Sequence, residues 1–110
     1  MKIDFEQISE CDIEGFKGGK GLLHAHNYVD ADCKIMLHRL EGGATTGLHK
    51  HEINCEIVYV VSGEATVHCD GQTEKIVAGQ VHYCPRGHSH YMENHSDEPM
   101  TYFAVVPELK

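Results

Sequence analysis

The sequence predicts an all-β domain in which short antiparallel strands form a sandwich or a barrel. Eight short segments contain β-branched residues or alternate between apolar and polar side chains, as strands with one buried face do. Glycine-containing turns separate several of these segments, and no stretch repeats its apolar residues with the 3.6-residue period of a long helix. The predicted strands lie at residues 22–29, 33–40, 55–61, 65–69, 72–77, 80–84, 89–94 and 100–106.

Residues 1–21 are expected to form an N-terminal extension of this domain. They are mixed in character and end in a glycine-rich run at 14–21, which is typical of a loop. The extension could add an edge strand or reach across to a partner subunit as a swapped strand. Residues 22–110 are expected to form one domain, because a chain of 110 residues supplies a single modest core.

Glycine locates the turns between the predicted strands. The dipeptide Asp70-Gly71 predicts a two-residue hairpin with a type I′ turn between the strands at 65–69 and 72–77. Gly63 and Gly79 mark further turns, because glycine adopts backbone conformations that a Cβ atom disfavours.

Composition excludes several classes of partner. The formal charge of −8 argues against nucleic acid and against an anionic membrane surface, both of which attract basic proteins. The longest apolar run, at 57–61, is far shorter than a membrane span. The first residues lack the basic start and apolar centre of a signal peptide, so a cytoplasmic location is expected.

Five cysteines without a CxxC pair are expected to be reduced thiols that mostly pack as small apolar residues.

Three histidines and a glutamate form a candidate metal site. His49 and His51 are two residues apart, so on a strand both imidazoles point to the same face. Glu56 follows five residues later and needs a turn or bulge near 52–54 to reach that face. His90 would come from a distant strand. Imidazole and carboxylate together suit a divalent transition metal ion.

The framework around these residues resembles the paired motifs of the cupin superfamily. The first motif runs from Gly43 to Gly63 and the second from Gly79 to Asn94, separated by fifteen residues at 64–78. The resemblance implies a double-stranded β-helix, or jelly-roll barrel. It also implies one bound divalent ion (Mn, Fe, Ni, Zn, Co or Cu) whose ligands are His49, His51, Glu56 and His90. Gln80 departs from the family pattern, where many relatives have aspartate.

The resemblance implies a metal-dependent enzyme that acts on a small oxygen-rich molecule, such as a sugar derivative, a hydroxy acid or a keto acid. Isomerase, decarboxylase or lyase, and dioxygenase chemistry are all compatible with such a site. The alternative is a non-catalytic module that binds or senses a small molecule and uses the metal structurally. The fold alone does not separate these functions.

Four further residues are candidates for substrate binding. Met92 and Asn94 alternate with His90 along one strand and should share its face. Asn94 could equally be an amide that caps a turn. His88 lies in the turn before His90, and Arg39 could face an anionic substrate, although such an arginine is more often solvated or paired. His88 and Tyr83 are weak candidates for a general base, and the catalytic residues stay unassigned.

A homodimer is expected from the strand at 55–61. Ile57, Tyr59 and Val61 should face outward while Glu56, Val58 and Val60 face inward. An outward row of large apolar side chains is typical of an interface.

Overall fold

Ten strands form two β-sheets in the computed structural model, which describes residues 1–109. Residue 110, the last of the expected domain, lies outside the described residues. The strands are β1 (Cys11–Glu14), β2 (Leu22–Val29), β3 (Cys33–Leu40), β4 (His49–Lys50), β5 (Glu56–Ser62), β6 (Glu64–Cys69), β7 (Gln72–Val77), β8 (Val81–Cys84), β9 (Ser89–Glu93) and β10 (Met100–Pro107). Two single 3₁₀ turns, Phe5–Gln7 and Phe16–Gly18, flank β1. Neither has the length or apolar character of a membrane-spanning helix.

The two sheets form the jelly roll that the sequence predicted. One sheet has six strands in the order β1-β2-β3-β10-β5-β8, and the other has four in the order β4-β9-β6-β7. The strand pairs are antiparallel. The chain passes repeatedly between the sheets, so the two facing surfaces enclose one core.

Alternation along each strand explains where that core lies. In β10, every second residue from Met100 to Val106 is buried, and the residues between them are partly exposed. Burying each large apolar side chain contributes about 1.5–3 kcal/mol. The buried apolar residues that meet between the sheets are Leu23, Met36, Leu40, Ala44, Val58, Val60, Ala65, Val67, Ile76, Met92, Met100, Tyr102, Ala104 and Val106.

The hairpin predicted at Asp70-Gly71 is present. Both residues have positive φ, 50° and 79°, as a type I′ turn requires. Cys69 pairs with Gln72 directly across the turn. The five cysteines carry free thiols, and Cys55 and Cys84 are buried.

Two strands were not among the predicted segments. β1 lies inside the expected extension and pairs with β2 of the same chain, with Cys11 opposite Ala25. β4 is only two residues long and exists through its pairing with β9, where His49 lies opposite His90. The sequence around β4 has no alternating pattern, so its position depends on a partner forty residues away along the chain.

The outward row on β5 is exposed as expected. Ile57, Tyr59 and Val61 are 41%, 43% and 49% exposed. The neighbouring strand β8 extends this row, because Val81 pairs with Tyr59 and Tyr83 pairs with Ile57. The alternate β5 residues point into the core.

Candidate metal centre

Three strands and one irregular connection bring the four candidate ligands together. The pairing of β4 with β9 places His49 directly opposite His90. His51 follows the end of β4, and Glu56 opens β5. The chain is irregular between His51 and Glu56, as the odd spacing required, and Asn54 in this connection forms an isolated bridge with Glu108.

The ligand atoms of the four side chains converge on one point. His90 Nε2 lies 3.0 Å from His49 Nε2 and 3.0 Å from His51 Nε2. Glu56 Oε1 lies 2.9 Å from His90 Nε2, 3.3 Å from His51 Nε2 and 3.9 Å from His49 Nε2. The four ligand atoms are all within 4.8 Å of one another.

This arrangement fits a metal ion better than a hydrogen-bond network. One imidazole nitrogen takes part in a single hydrogen bond, as donor or as acceptor, so the three contacts of His90 Nε2 cannot all be hydrogen bonds. Ligand atoms about 2.1 Å from a common ion are separated by roughly 3.0–3.4 Å in octahedral or tetrahedral geometry. Most of the observed separations are close to this range. The site is also largely dry, because His51, Glu56 and His90 are buried.

The charges within the cluster are strongly coupled. Burial of Glu56 opposes its ionisation, but the adjacent imidazoles of His49, His51 and His90 outweigh this effect and hold the pKa of Glu56 well below its usual range. The contact with the Glu56 carboxylate raises the pKa of His51, against the effect of burial. The glutamate is therefore a carboxylate at neutral pH, which is the form that binds a cation.

Each histidine is oriented through the nitrogen that faces away from the cluster. His49 Nδ1 donates to the carbonyl oxygen of Gly47 at 2.7 Å, and His51 Nδ1 donates to Asn54 Oδ1 at 2.6 Å. His90 Nδ1 lies 2.9 Å from His82 Nε2. Because such partners fix the tautomer and the ring orientation, all three Nε2 atoms are presented to a common ion.

His82 had no supporting pattern in the sequence. In the β5–β8 pairing it lies opposite the buried Val58, so its ring points into the barrel. Burial lowers the pKa of His82 to about 4, and the charge of His90 contributes to the same effect. Neutral His82 can accept the proton of His90 Nδ1. Alternation along β8, where His82 and Cys84 are buried, was the signal that could have identified it.

We expect the substitution His82→Phe to weaken metal binding by about 10- to 100-fold, because it removes the partner that orients His90. His82→Gln should recover part of the affinity, since its amide oxygen can accept the same proton. Metal affinity can be measured by competition with a chromophoric chelator, with circular dichroism as the check on folding. A folded His82→Phe protein with wild-type metal affinity would contradict this role.

A cavity of about 430 Å³ adjoins the cluster. Its wall includes the three cluster residues His49, His51 and Glu56, together with the partly polar side chains Asn27, His38 and Asn54. The lysines Lys17, Lys34 and Lys50 also line it. Among residues 1–109, the acidic side chains in its wall are Glu52 and the cluster residue Glu56. A cationic cavity in a chain of net charge −8 was not expected from composition.

His38 forms an inner wall of this cavity. Its ring is 2% exposed, and burial lowers its pKa to about 4. Nδ1 contacts the Tyr102 hydroxyl at 2.9 Å and Nε2 contacts Asn27 Oδ1 at 2.8 Å. His38 is therefore neutral and held in one orientation. It had no supporting pattern in the sequence.

The structure corrects the expectation for Met92 and Asn94, since neither lines the cavity. Both are buried, at 3% and 1% exposed, as alternation from His90 predicted. The Asn94 side-chain nitrogen lies within hydrogen-bond distance of three carbonyl oxygens, those of Leu40, Glu41 and Glu98. Asn94 is thus the turn-capping amide, and Met92 is a core residue.

His88, Arg39 and Tyr83 also lie away from the cavity. His88 forms an exposed ion pair with Asp70. Arg39 is paired with Glu10 at 3.3 Å on the outer face of the six-stranded sheet. Tyr83 is 54% exposed on β8. None of these three side chains lines the cavity beside the cluster.

Comparison with known proteins agrees with this geometry. The cupin domain model matches residues 36–106, which include the four cluster residues. An oxalate-binding protein from Thermotoga maritima is 31% identical over 112 residues, covering 96% of this chain and 93% of the relative. A crystal structure from the same organism, described as a predicted oxalate decarboxylase, has a TM-score of 0.92 at 30% identity, covering 99% of this chain and 100% of that chain.

A more distant structure supports the fold alone. A sugar phosphate isomerase of the cupin superfamily from Silicibacter pomeroyi has a TM-score of 0.80 at 23% identity, covering 98% of this chain and 76% of that chain. Together, the two sheets, the paired motifs and the matched family model lead to one conclusion. The chain belongs to the cupin domain family.

Proposed function

We propose that this protein holds one divalent transition metal ion between His49, His51, Glu56 and His90, and that it binds a small carboxylate-bearing molecule in the adjoining cavity. The observation that carries this proposal is the position of the cluster. Its ligand atoms converge beside a cavity whose wall carries three lysines. A bound ion would supply open coordination positions for carboxylate oxygens, since only four protein ligands converge on it.

The charges of the cavity favour an anion. Among residues 1–109, the ion pairs of lysine or arginine are those of Lys75 with Glu64 and of Arg39 with Glu10, so none of the three cavity lysines forms an ion pair. These three outnumber the two carboxylates in the wall even before a divalent ion is added. Oxalate is the leading candidate, because the Thermotoga relative at 31% identity is named for binding it.

Isothermal titration calorimetry tests the proposal directly. Protein loaded with a single metal (Mn²⁺, Co²⁺ or Zn²⁺) should bind oxalate at one site per chain, and protein stripped with a chelator should not. Equal oxalate affinity with and without metal would contradict binding at the cluster. The absence of any binding by the metal-loaded protein would contradict the choice of ligand.

Catalysis is the second candidate function. Glu52 in the cavity wall is an acidic side chain outside the ligand set, and we propose it as the proton donor or acceptor. Conversion of oxalate to formate and carbon dioxide by the metal-loaded protein, lost in Glu52→Gln, would support a decarboxylase. Tight binding without turnover of oxalate, hydroxy acids, keto acids or sugar derivatives would favour the non-catalytic binding module.

We also propose that the protein is a homodimer through the exposed row on β5 and β8. The apolar side chains Ile57, Tyr59, Val61, Val81 and Tyr83 form one surface that is costly to leave in water. The double substitution Tyr59→Glu and Val81→Glu should give a monomer, because two like charges on facing positions would be buried in the interface without a partner. Light scattering at micromolar concentration is the measurement, and a monomer mass for the wild-type chain would contradict the dimer.

A further inference from the structure

A lysine from the N-terminal segment forms part of the metal cavity. Lys17 lies in the 3₁₀ turn Phe16–Gly18 and lines the cavity with His49 and His51. Its φ of 56° is one of two positive values at non-glycine residues among residues 1–109. Such a conformation is disfavoured for a residue with a Cβ atom, and it persists where the surrounding contacts impose it.

The contacts around Lys17 impose its position. The backbone nitrogen of Gly47 donates to the carbonyl oxygen of Phe16 at 2.9 Å. A Cβ atom on Gly47 would stand 1.7 Å from the carbonyl oxygen of Lys17, so only glycine allows the two segments to approach this closely. Phe16 packs against the core and meets the ring of His38 edge-on, with centroids 5.9 Å apart. The N-terminal turn is therefore a built part of the cavity wall.

The side chain of Lys17 lines the cavity beside His49 and His51 and forms no ion pair among residues 1–109. Its ammonium group lies 5.7 Å from the Phe16 ring centroid. Because Phe16 and Gly47 hold this turn in the cavity wall, the charge of Lys17 faces the space that a ligand of the cluster would occupy.

We propose that Lys17 makes the site selective for dicarboxylates over hydroxy acids by binding the carboxylate oxygens that face away from the metal. This inference rests on the proposed function and identifies its ligand class. Oxalate and glycolate are both two-carbon molecules that chelate through two oxygens. Bound in this way, oxalate has a second carboxylate, a second negative charge and two oxygens that face away from the metal, whereas glycolate has one such oxygen. A lysine ammonium group forms charge-assisted hydrogen bonds with such oxygens.

The experiment compares the affinities of oxalate and glycolate for protein loaded with one metal, measured by calorimetry. The variants are Lys17→Met, which removes the charge, and Lys17→Gly, which also suits the positive φ. Lys17→Arg retains the charge. Lys75→Met is the matched control, because Lys75 is paired with Glu64 on the outer strand β7, outside the cavity. Metal content is measured for every variant.

We expect the ratio of oxalate to glycolate affinity to fall about tenfold or more in both neutral variants, the loss that one charge-assisted hydrogen bond represents. Lys17→Arg should recover most of the ratio, and Lys75→Met should retain it. A wild-type ratio in folded, metal-loaded Lys17→Met and Lys17→Gly would overturn the role of Lys17 while leaving the proposed function intact. Failure of the wild-type protein to bind either ligand would instead contradict the proposed function.

Discussion

The substitution His90→Ala is expected to lower metal affinity by more than about 100-fold. Loss of a residue that only orients a ligand already costs 10- to 100-fold, and His90 is itself a proposed ligand. Its Nε2 contacts all three other members of the cluster. The substitution therefore removes the side chain whose ligand atom contacts the three other proposed ligands. Metal content after dialysis, measured by plasma mass spectrometry, should fall from one ion per chain to near zero.

His95→Ala is the matched control for this substitution. It also removes an imidazole, but the His95 side chain is 66% exposed and lies outside the cluster. Circular dichroism should show the same strand content for both variants, since the core does not depend on His90 alone. Retention of a full equivalent of metal by folded His90→Ala protein would show that the ion binds elsewhere.

Removal of the metal with a chelator is expected to lower the melting temperature by about 15 °C. An ion present at about a thousand times its dissociation constant stabilises the folded state by roughly 4 kcal/mol, because the unfolded chain does not assemble the site. For a domain of this length, 1 kcal/mol corresponds to roughly 4 °C. Differential scanning calorimetry of the loaded and stripped protein measures this difference.

The difference should become smaller on acidification from pH 7.5 to pH 5. In the stripped protein, the raised pKa of His51 contributes stability that is fully present below its ordinary value of 6.5 and is lost as the pH rises through the folded value. The lowered pKa of Glu56 contributes stability that is present above its ordinary value of 4.5. Acid thus favours a protonated cluster in which His51 and Glu56 form an ion pair, and protons compete with the metal. A melting-temperature difference that stays constant over this range would contradict metal binding through these imidazoles.

Much of the fold could be predicted because it depends on local signals. Alternation located β2 and β3 to the residue, and the Asp70-Gly71 turn fixed the β6–β7 hairpin. The resemblance to the paired motifs also predicted that the four cluster residues converge. His51 and Glu56 are an odd number of residues apart, which predicted an interruption of the strand between them, and the structure has this interruption.

The cavity could not be predicted because it depends on long-range packing. Alternation from His90 identified the inward face for Met92, but it could not show that Met92 packs in the core outside the cavity lining. Lys17 and His38 reach the cavity from elements outside the two motifs, and no local pattern connects them with His49. The short strand β4 likewise forms only where β9 is present to pair with it.

Anomalous X-ray scattering from crystals of the metal-loaded protein, collected at the absorption edge of the bound metal, tests the central claim most directly. We predict one peak per chain, about 2.0–2.2 Å from Nε2 of each cluster histidine and from a carboxylate oxygen of Glu56. A crystal soaked in oxalate should show density in contact with that ion and with Lys17. A peak at another group of side chains, such as Cys69, Asp70 and His88, with none at the cluster, would contradict the account.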